Sequence, residues 1–247
     1  MKIKIGTNLI NIRKSLPFDF ESSNVSLYFV KQPDHVVINQ SFFNQQVPNV
    51  RRHILELHNG SWNFKQFLPQ NHIVSSSFDE DEDFSTLTSK SQNAIFLLLE
   101  SPHEHEYDNN FNPIAPAQAK TGDNIEKYIL EILNKITKLK KLQDGDYDFC
   151  LINPVRSQTS LHYLHKAPLN KNRRVRNKVW HILWDDINKN NLLDILNDPT
   201  YASRIVINAC TYPITHTVSN FLNAQKISFI KTYHPSSWGW QGKRIVK

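Results

Sequence analysis

After residue 92 the chain alternates short apolar runs with amphipathic stretches. Ala94-Ile95-Phe96-Leu97-Leu98-Leu99 stops at Glu100-Ser101-Pro102-His103. Phe149-Cys150-Leu151-Ile152 stops at Asn153-Pro154-Val155-Arg156, and Arg204-Ile205-Val206-Ile207-Asn208-Ala209 stops at Cys210. Short apolar runs bounded by turn-forming residues read as buried strands. Between them, Ile125, Ile129, Ile132, Leu133, Ile136 and Leu139 recur at helical spacing with lysines opposite, which predicts a helix from Asn124 to Leu142. Thr121 and Asp123 are its candidate N-caps. Val179, Trp180, Leu183 and Trp184 predict a second helix from Val175 to Ile187. Thr215 to Leu222 reads as a third, and Ile227 to Ile230 as a last short strand. Strands alternating with helices predict an α/β fold: three layers, α/β/α, with a central, mostly parallel sheet.

Residues 1–92 differ. They hold short alternating stretches, Val25 to Val30 and Val36-Val37-Ile38, and scattered aromatics, and they close on the acidic run Ser75 to Asp83. We read 1–92 as an extension packed on the core, and 93–247 as the main domain. The acidic run reads as a solvated loop, and no internal repeat is evident.

A chain of 247 residues is long enough to bury a sizeable core in one domain. Its formal net charge of +6 modestly favours polyanionic partners. Two cysteines, Cys150 and Cys210, cannot build a disulfide framework and read as buried reduced thiols. No apolar run approaches the ~20 residues of a membrane span, and MKIKIGTNLI is too polar for a secretory signal. A cytoplasmic, monomeric protein is expected.

In open α/β sheets ligands bind beyond the carboxyl ends of the strands. Glu100, Asn153 and His234, each just past a strand-like run, are therefore expected to face one pocket. His234 lies in Thr232-Tyr233-His234-Pro235-Ser236-Ser237-Trp238. These segments resemble the motifs of the uracil-DNA glycosylase superfamily, nearest its family-four branch. Leu99 to His103, followed by Glu104, Glu106 and Tyr107 and then by Thr121-Gly122 before a helix, is similar to the family's first motif, GEAPG. Asn153-Pro154-Val155-Arg156 is similar to its middle motif. Thr232 to Pro235 matches its TYHP-type motif letter for letter. The likeness spans roughly residues 93–240. The four cysteines that hold the family-four iron–sulfur cluster have no counterpart here, so no cofactor and no metal is expected.

The resemblance implies a monofunctional DNA glycosylase acting on a flipped uracil or modified pyrimidine. Such chemistry needs a carboxylate for the water or the cationic sugar and a donor for the charge growing on the base carbonyl. Glu100 is the first carboxylate, with Glu104 and Glu106 as alternatives. Ser101 stands where the classical branch has its catalytic Asp, and His103 stands where relatives have Gly or a thymine-excluding Tyr. By resemblance Asn153 reads the base edge and His234 donates to its carbonyl. Pro102, Tyr107 and Ile114 complete the substrate pocket, Ile114 lying near the position of the family's stacking Phe. Trp238 is the expected apolar wedge. Arg156, Ser236 and Ser237 are expected on phosphates, together with Arg173, Arg174 and Arg176 of the acid-free run Lys166 to Lys178. The departures at His103 and Ile114 leave open a wider pocket for hypermodified phage bases, in antiviral defence rather than DNA repair. A catalytically inactive nucleic-acid-binding module of the same fold, and an enzyme of free nucleosides, are the other readings.

Overall fold

The structure, a computed structural model, describes residues 2–5, 7–11, 29–32, 34–38, 45–67, 91–110, 112–159, 173–240 and 245–246. The acidic run Ser75 to Asp83, Phe111, Ser160, Lys166 and Lys171 lie outside them.

The three apolar runs are strands: β7 (Asn93–Leu98), β8 (Gly145–Ile152) and β9 (Ser203–Asn208), with β10 (Phe229–Thr232) after them. They pair in parallel in the order β10-β9-β7-β8. β7 is buried at every position, as expected of a central strand covered on both faces. Its side chains divide between two cores. Ile95 and Leu97 join Ile125, Ile129, Ile132 and Leu133 of α1 (Lys120–Thr137). Ala94, Phe96 and Leu98 join Trp180, Leu192, Leu196, Val218 and Leu222 on the opposite face. Those residues come from α2 (Arg173–Leu183), α3 (Lys189–Leu196) and α4 (Ile214–Ala224). The expected three layers are therefore present, although the helices are displaced from their predicted limits. A single π-helical turn, Trp184–Asn188, joins α2 to α3. α1 starts at Lys120 behind Ala119, with no side-chain cap, so Thr121 and Asp123 sit inside its first turn.

The parallel strands are only the middle of the sheet. β5 (Val50–His58) runs antiparallel to β8, β6 (Ser61–Phe67) follows it, and β11 (Ile245–Val246) adds an antiparallel edge beside β10. Residues 50–67 are thus two strands of the central sheet rather than an extension packed on it. Sequence reading missed β5 because Arg51, Arg52 and His53 occupy buried positions. Each has an acidic partner: Arg51 bonds Asp148 at 3.2 Å, and Arg52 and His53 bond Glu126 of α1 at 3.3 and 2.8 Å. Buried charge is tolerated when paired, and the pairing masks the apolar alternation. Further upstream, β1 (Lys2–Ile5), β2 (Asn8–Asn11), β3 (Phe29–Lys31) and β4 (His35–Ile38) form a separate sheet in the order β2-β1-β4-β3. Among the described residues no helix is long and apolar enough to cross a membrane. Cys150 and Cys210 are buried free thiols.

If β5 is integral to the core, Leu55→Ala, which truncates a fully buried side chain, should lower the unfolding free energy by about 2–5 kcal/mol. Urea denaturation measures this; a change near zero would make β5 an appendage.

Candidate active site

The chain passes from β7 to β8 on one side, then crosses back to β9 on the other. This reversal opens a crevice at the carboxyl ends of the strands. The register aligns those ends: Leu98 faces Ile152 on one side and Asn208 on the other, and Asn208 faces Lys231. The residues just past the strands therefore meet at one level. Glu100, Asn153, Thr211 and His234 line a single cleft of about 430 Å³. The expected convergence of Glu100, Asn153 and His234 is present.

Glu100 is buried. Its Oε1 is 3.2 Å from Arg176 Nη1 of α2, and its Oε2 accepts from the Thr211 N–H (3.3 Å) and the Thr211 hydroxyl. Its carbonyl accepts from Trp180 Nε1–H (3.0 Å) and Val155 N–H (3.2 Å). This one residue ties the ends of β7, β8 and β9 to α2.

Glu106 reaches the same cleft from a 3₁₀ turn, Glu104–Glu106, that folds back after Pro102. It is buried. Oε1 accepts from Ala117 N–H and Oε2 from Asn153 Nδ2–H, both at 3.0 Å. Burial pushes its carboxyl up to about 8 against these hydrogen bonds, which makes it a poor base at neutral pH. Asn153 is held from the other side, its backbone N–H donating to Asn49 Oδ1 at 3.0 Å. With Nδ2 engaged, Asn153 Oδ1 is buried without a partner.

His234 caps the next 3₁₀ turn, Pro235–Ser237. The Ser236 backbone N–H lies 3.3 Å from its Nδ1, and the Ser236 hydroxyl lies 2.9 Å from it. A backbone N–H can only donate, so Nδ1 accepts and Nε2 carries the proton. Burial, with the positive fields of Arg176 and His103, lowers the ring to about 4. The imidazole is thus neutral at physiological pH and has one donor free of the turn.

Several expected site residues take other roles. Ser101, Pro102 and His103 line the cleft, and the Ser101 hydroxyl is bonded to Thr159 at 2.8 Å. Tyr107 does not line it: its ring is buried and its hydroxyl donates to the Gln45 carbonyl at 3.1 Å. Ile114 packs against the α1-side core instead of over the cleft. Arg176 faces inward to Glu100 and Thr211, so it is part of the cleft wall rather than a phosphate contact. Arg156 donates from Nε to the Val47 carbonyl at 3.1 Å. Ser236 is a positioning residue for His234, and the buried Ser237 hydroxyl donates to the His234 carbonyl at 2.8 Å. Trp238 is fully buried, with Nε1–H bonded to the Tyr233 carbonyl; it packs in the core and cannot serve as a wedge. Arg173 and Arg174 lie in the first turn of α2.

Sequence reading missed the entry to α1. Gln118, Ala119, Lys120 and Thr121 wall the cleft, and Ala117 and Ala119 have φ of 56°, a left-handed conformation that costs a residue bearing Cβ. It also missed Trp240, which is 72% exposed two residues past Trp238 and bonded to the Ser236 carbonyl at 3.3 Å. Its only sequence signal was its nearness to the TYHP segment. Among the described residues, His103, Glu104 and His105 at the rim bring ligand-type atoms within 4.8 Å of one another, but both histidines are exposed.

The raised Glu106 carboxyl has a stability consequence. Below about 4.5 it is protonated whether the chain is folded or not; between there and about 8 the unfolded chain releases the proton and the folded one keeps it. Its contribution therefore falls as pH rises through that window. Glu106→Gln should flatten this fall in urea midpoints measured against pH, and an unchanged slope would refute the shift. Comparison of the chain with protein-family models, with curated proteins and with solved structures finds no match.

Proposed function

We propose that this protein is a monofunctional DNA glycosylase that hydrolyses the N-glycosidic bond of a flipped uracil or modified pyrimidine and leaves an abasic site. The observation that carries this reading is His234: a neutral imidazole with its Nε2–H proton fixed, in the same strand-end cleft as the buried Glu100 and Asn153. A neutral donor suits a leaving base that gains negative charge on its carbonyl, because a preorganised donor stabilises charge that develops only in the transition state.

In this reading the bond from C1′ to the base nitrogen breaks first, and both electrons leave with the base. His234 Nε2–H stabilises the anion at the carbonyl oxygen. Glu100, ion-paired with Arg176, faces the cationic sugar and takes the proton of the water whose oxygen bonds C1′. The base nitrogen regains a proton from solvent. Glu100 fits this role better than Glu106, which holds its own proton to about 8. Asn153 reads the base edge. A cleft of about 430 Å³ falls in the range that accepts ligands larger than a bare pyrimidine. With neither Ile114 nor, among the described residues, a Phe lining it, that volume favours a bulky modified base, of the kind carried by phage DNA, as substrate.

The competing reading is a binding module that recognises a flipped base without cleaving. Both Glu100 oxygens being engaged favours it. Oligonucleotides carrying different modified pyrimidines, heated in alkali after incubation to cut abasic sites, separate the two. His234→Ala should slow single-turnover release by about a hundred- to a thousandfold, the cost of one oxyanion donor, with little loss of DNA affinity. Release within a few-fold of wild type would remove the assigned role. Trp240→Ala should weaken binding to substrate DNA by ~1–3 kcal/mol if the exposed ring stacks on a base. Unchanged affinity in a fluorescence titration would leave Trp240 idle.

A further inference from the structure

Asn153 lines the cleft, and which end of its amide is left unpaired is decided by another residue. Its Nδ2–H is bonded to Glu106 Oε2 at 3.0 Å, and its Oδ1 is buried without a partner. Glu106 is itself fixed, because Oε1 accepts from the Ala117 N–H at 3.0 Å. Asn153 cannot slide away, since its N–H is held by Asn49. A buried carbonyl oxygen left unpaired is costly, so the empty acceptor marks the place where a ligand N–H belongs.

We infer that Glu106 is the specificity-determining residue of the cleft: by holding Asn153 Nδ2, it makes the site an acceptor and so decides between uracil-type and cytosine-type bases. This rests on the glycosylase reading above and goes beyond it. The two base classes have opposite polarity at each position of the pairing edge. Uracil has an N–H at position 3 and a carbonyl at position 4; cytosine has a lone pair at position 3 and an amino group at position 4. An amide with Oδ1 outward favours uracil if it meets position 3, and cytosine if it meets position 4. With the amide turned round, the preference inverts in either alignment. Glu106 is a positioning residue here, since it acts on the base only through Asn153.

The test is Glu106→Gln, which keeps the shape and reverses the polarity. The Ala117 N–H still needs an acceptor, so the Gln oxygen takes it and its NH₂ group faces Asn153. The Asn153 amide must then turn, with Oδ1 accepting and Nδ2 outward. The readout, taken at about pH 9 where Glu106 is ionised and accepts at both oxygens, is the ratio of single-turnover release rates from two matched oligonucleotides with the same C5 substituent, one carrying the uracil and one the cytosine. A loss of fold or of general activity lowers both rates and leaves the ratio alone. We expect the ratio to move by about ten- to a hundredfold, the size of one unpaired buried group, and its direction reports which position meets Asn153. An unchanged ratio with active protein overturns the inference and leaves the glycosylase reading standing; a permanently protonated Glu106, which would donate to Oδ1 as Gln does, gives that result. No release from any oligonucleotide by wild type overturns both. If the variant does not fold, competition on wild type decides: free 3-methyluracil, whose edge has no N–H, should inhibit far less than the better of uracil and cytosine. Equal inhibition overturns the inference.

Discussion

The site depends on four parallel strands ending at one level on either side of a reversal in chain direction. β7 is central, β8 and β9 flank it, and β10 follows, so Glu100 and His234, more than 130 positions apart in the sequence, face one cleft from the ends of their strands. Glu100, Asn153, Thr211 and His234 stand directly past their strand ends and are pinned there. Glu100 bonds Thr211 and Arg176 through its side chain and Val155 and Trp180 through its carbonyl. A residue so engaged is costly to move. Any chemistry assigned to it uses a carboxylate already positioned before a ligand arrives, which is what electrostatic preorganisation requires.

Asn153 and His234 are also set by neighbours. Ser236 fixes the tautomer of His234, and Glu106 fixes the rotamer sense of Asn153. Both neighbours lie in single 3₁₀ turns immediately after a strand-end segment. The turns bring a second polar group back toward the strand end, and so a short stretch of chain supplies both the group facing the cleft and its support. Such support from outside the contacting residues separates a site held to a fraction of an ångström from one that is merely present.

The parallel core and the convergence of Glu100, Asn153 and His234 were legible because both follow from one rule. Apolar runs buried on both faces leave their polar residues only at the ends. What was not legible has physical reasons too. β5 carries Arg51, Arg52 and His53 inside, and only the long-range partners Asp148 and Glu126 make that tolerable. Ser236 and Ser237 read as surface hydroxyls, but a 3₁₀ turn points them back to His234. Trp238 and Trp240 differ by two positions and have opposite exposure, which the tight turn at Pro235–Ser237 decides and no periodicity marks. Ala117 and Ala119 hold left-handed backbone without glycine, so no residue type announces the bend that walls the cleft.

The distribution of tryptophans has a practical side. The chain has five; Trp62, Trp180, Trp184 and Trp238 are buried, and Trp240 is 72% exposed beside the turn that carries His234. A collisional quencher such as iodide reaches one indole and not the other four. The quenchable part of the intrinsic emission is therefore an unlabelled optical reporter next to the cleft, and its shielding on titration measures occupancy of that rim separately from any turnover.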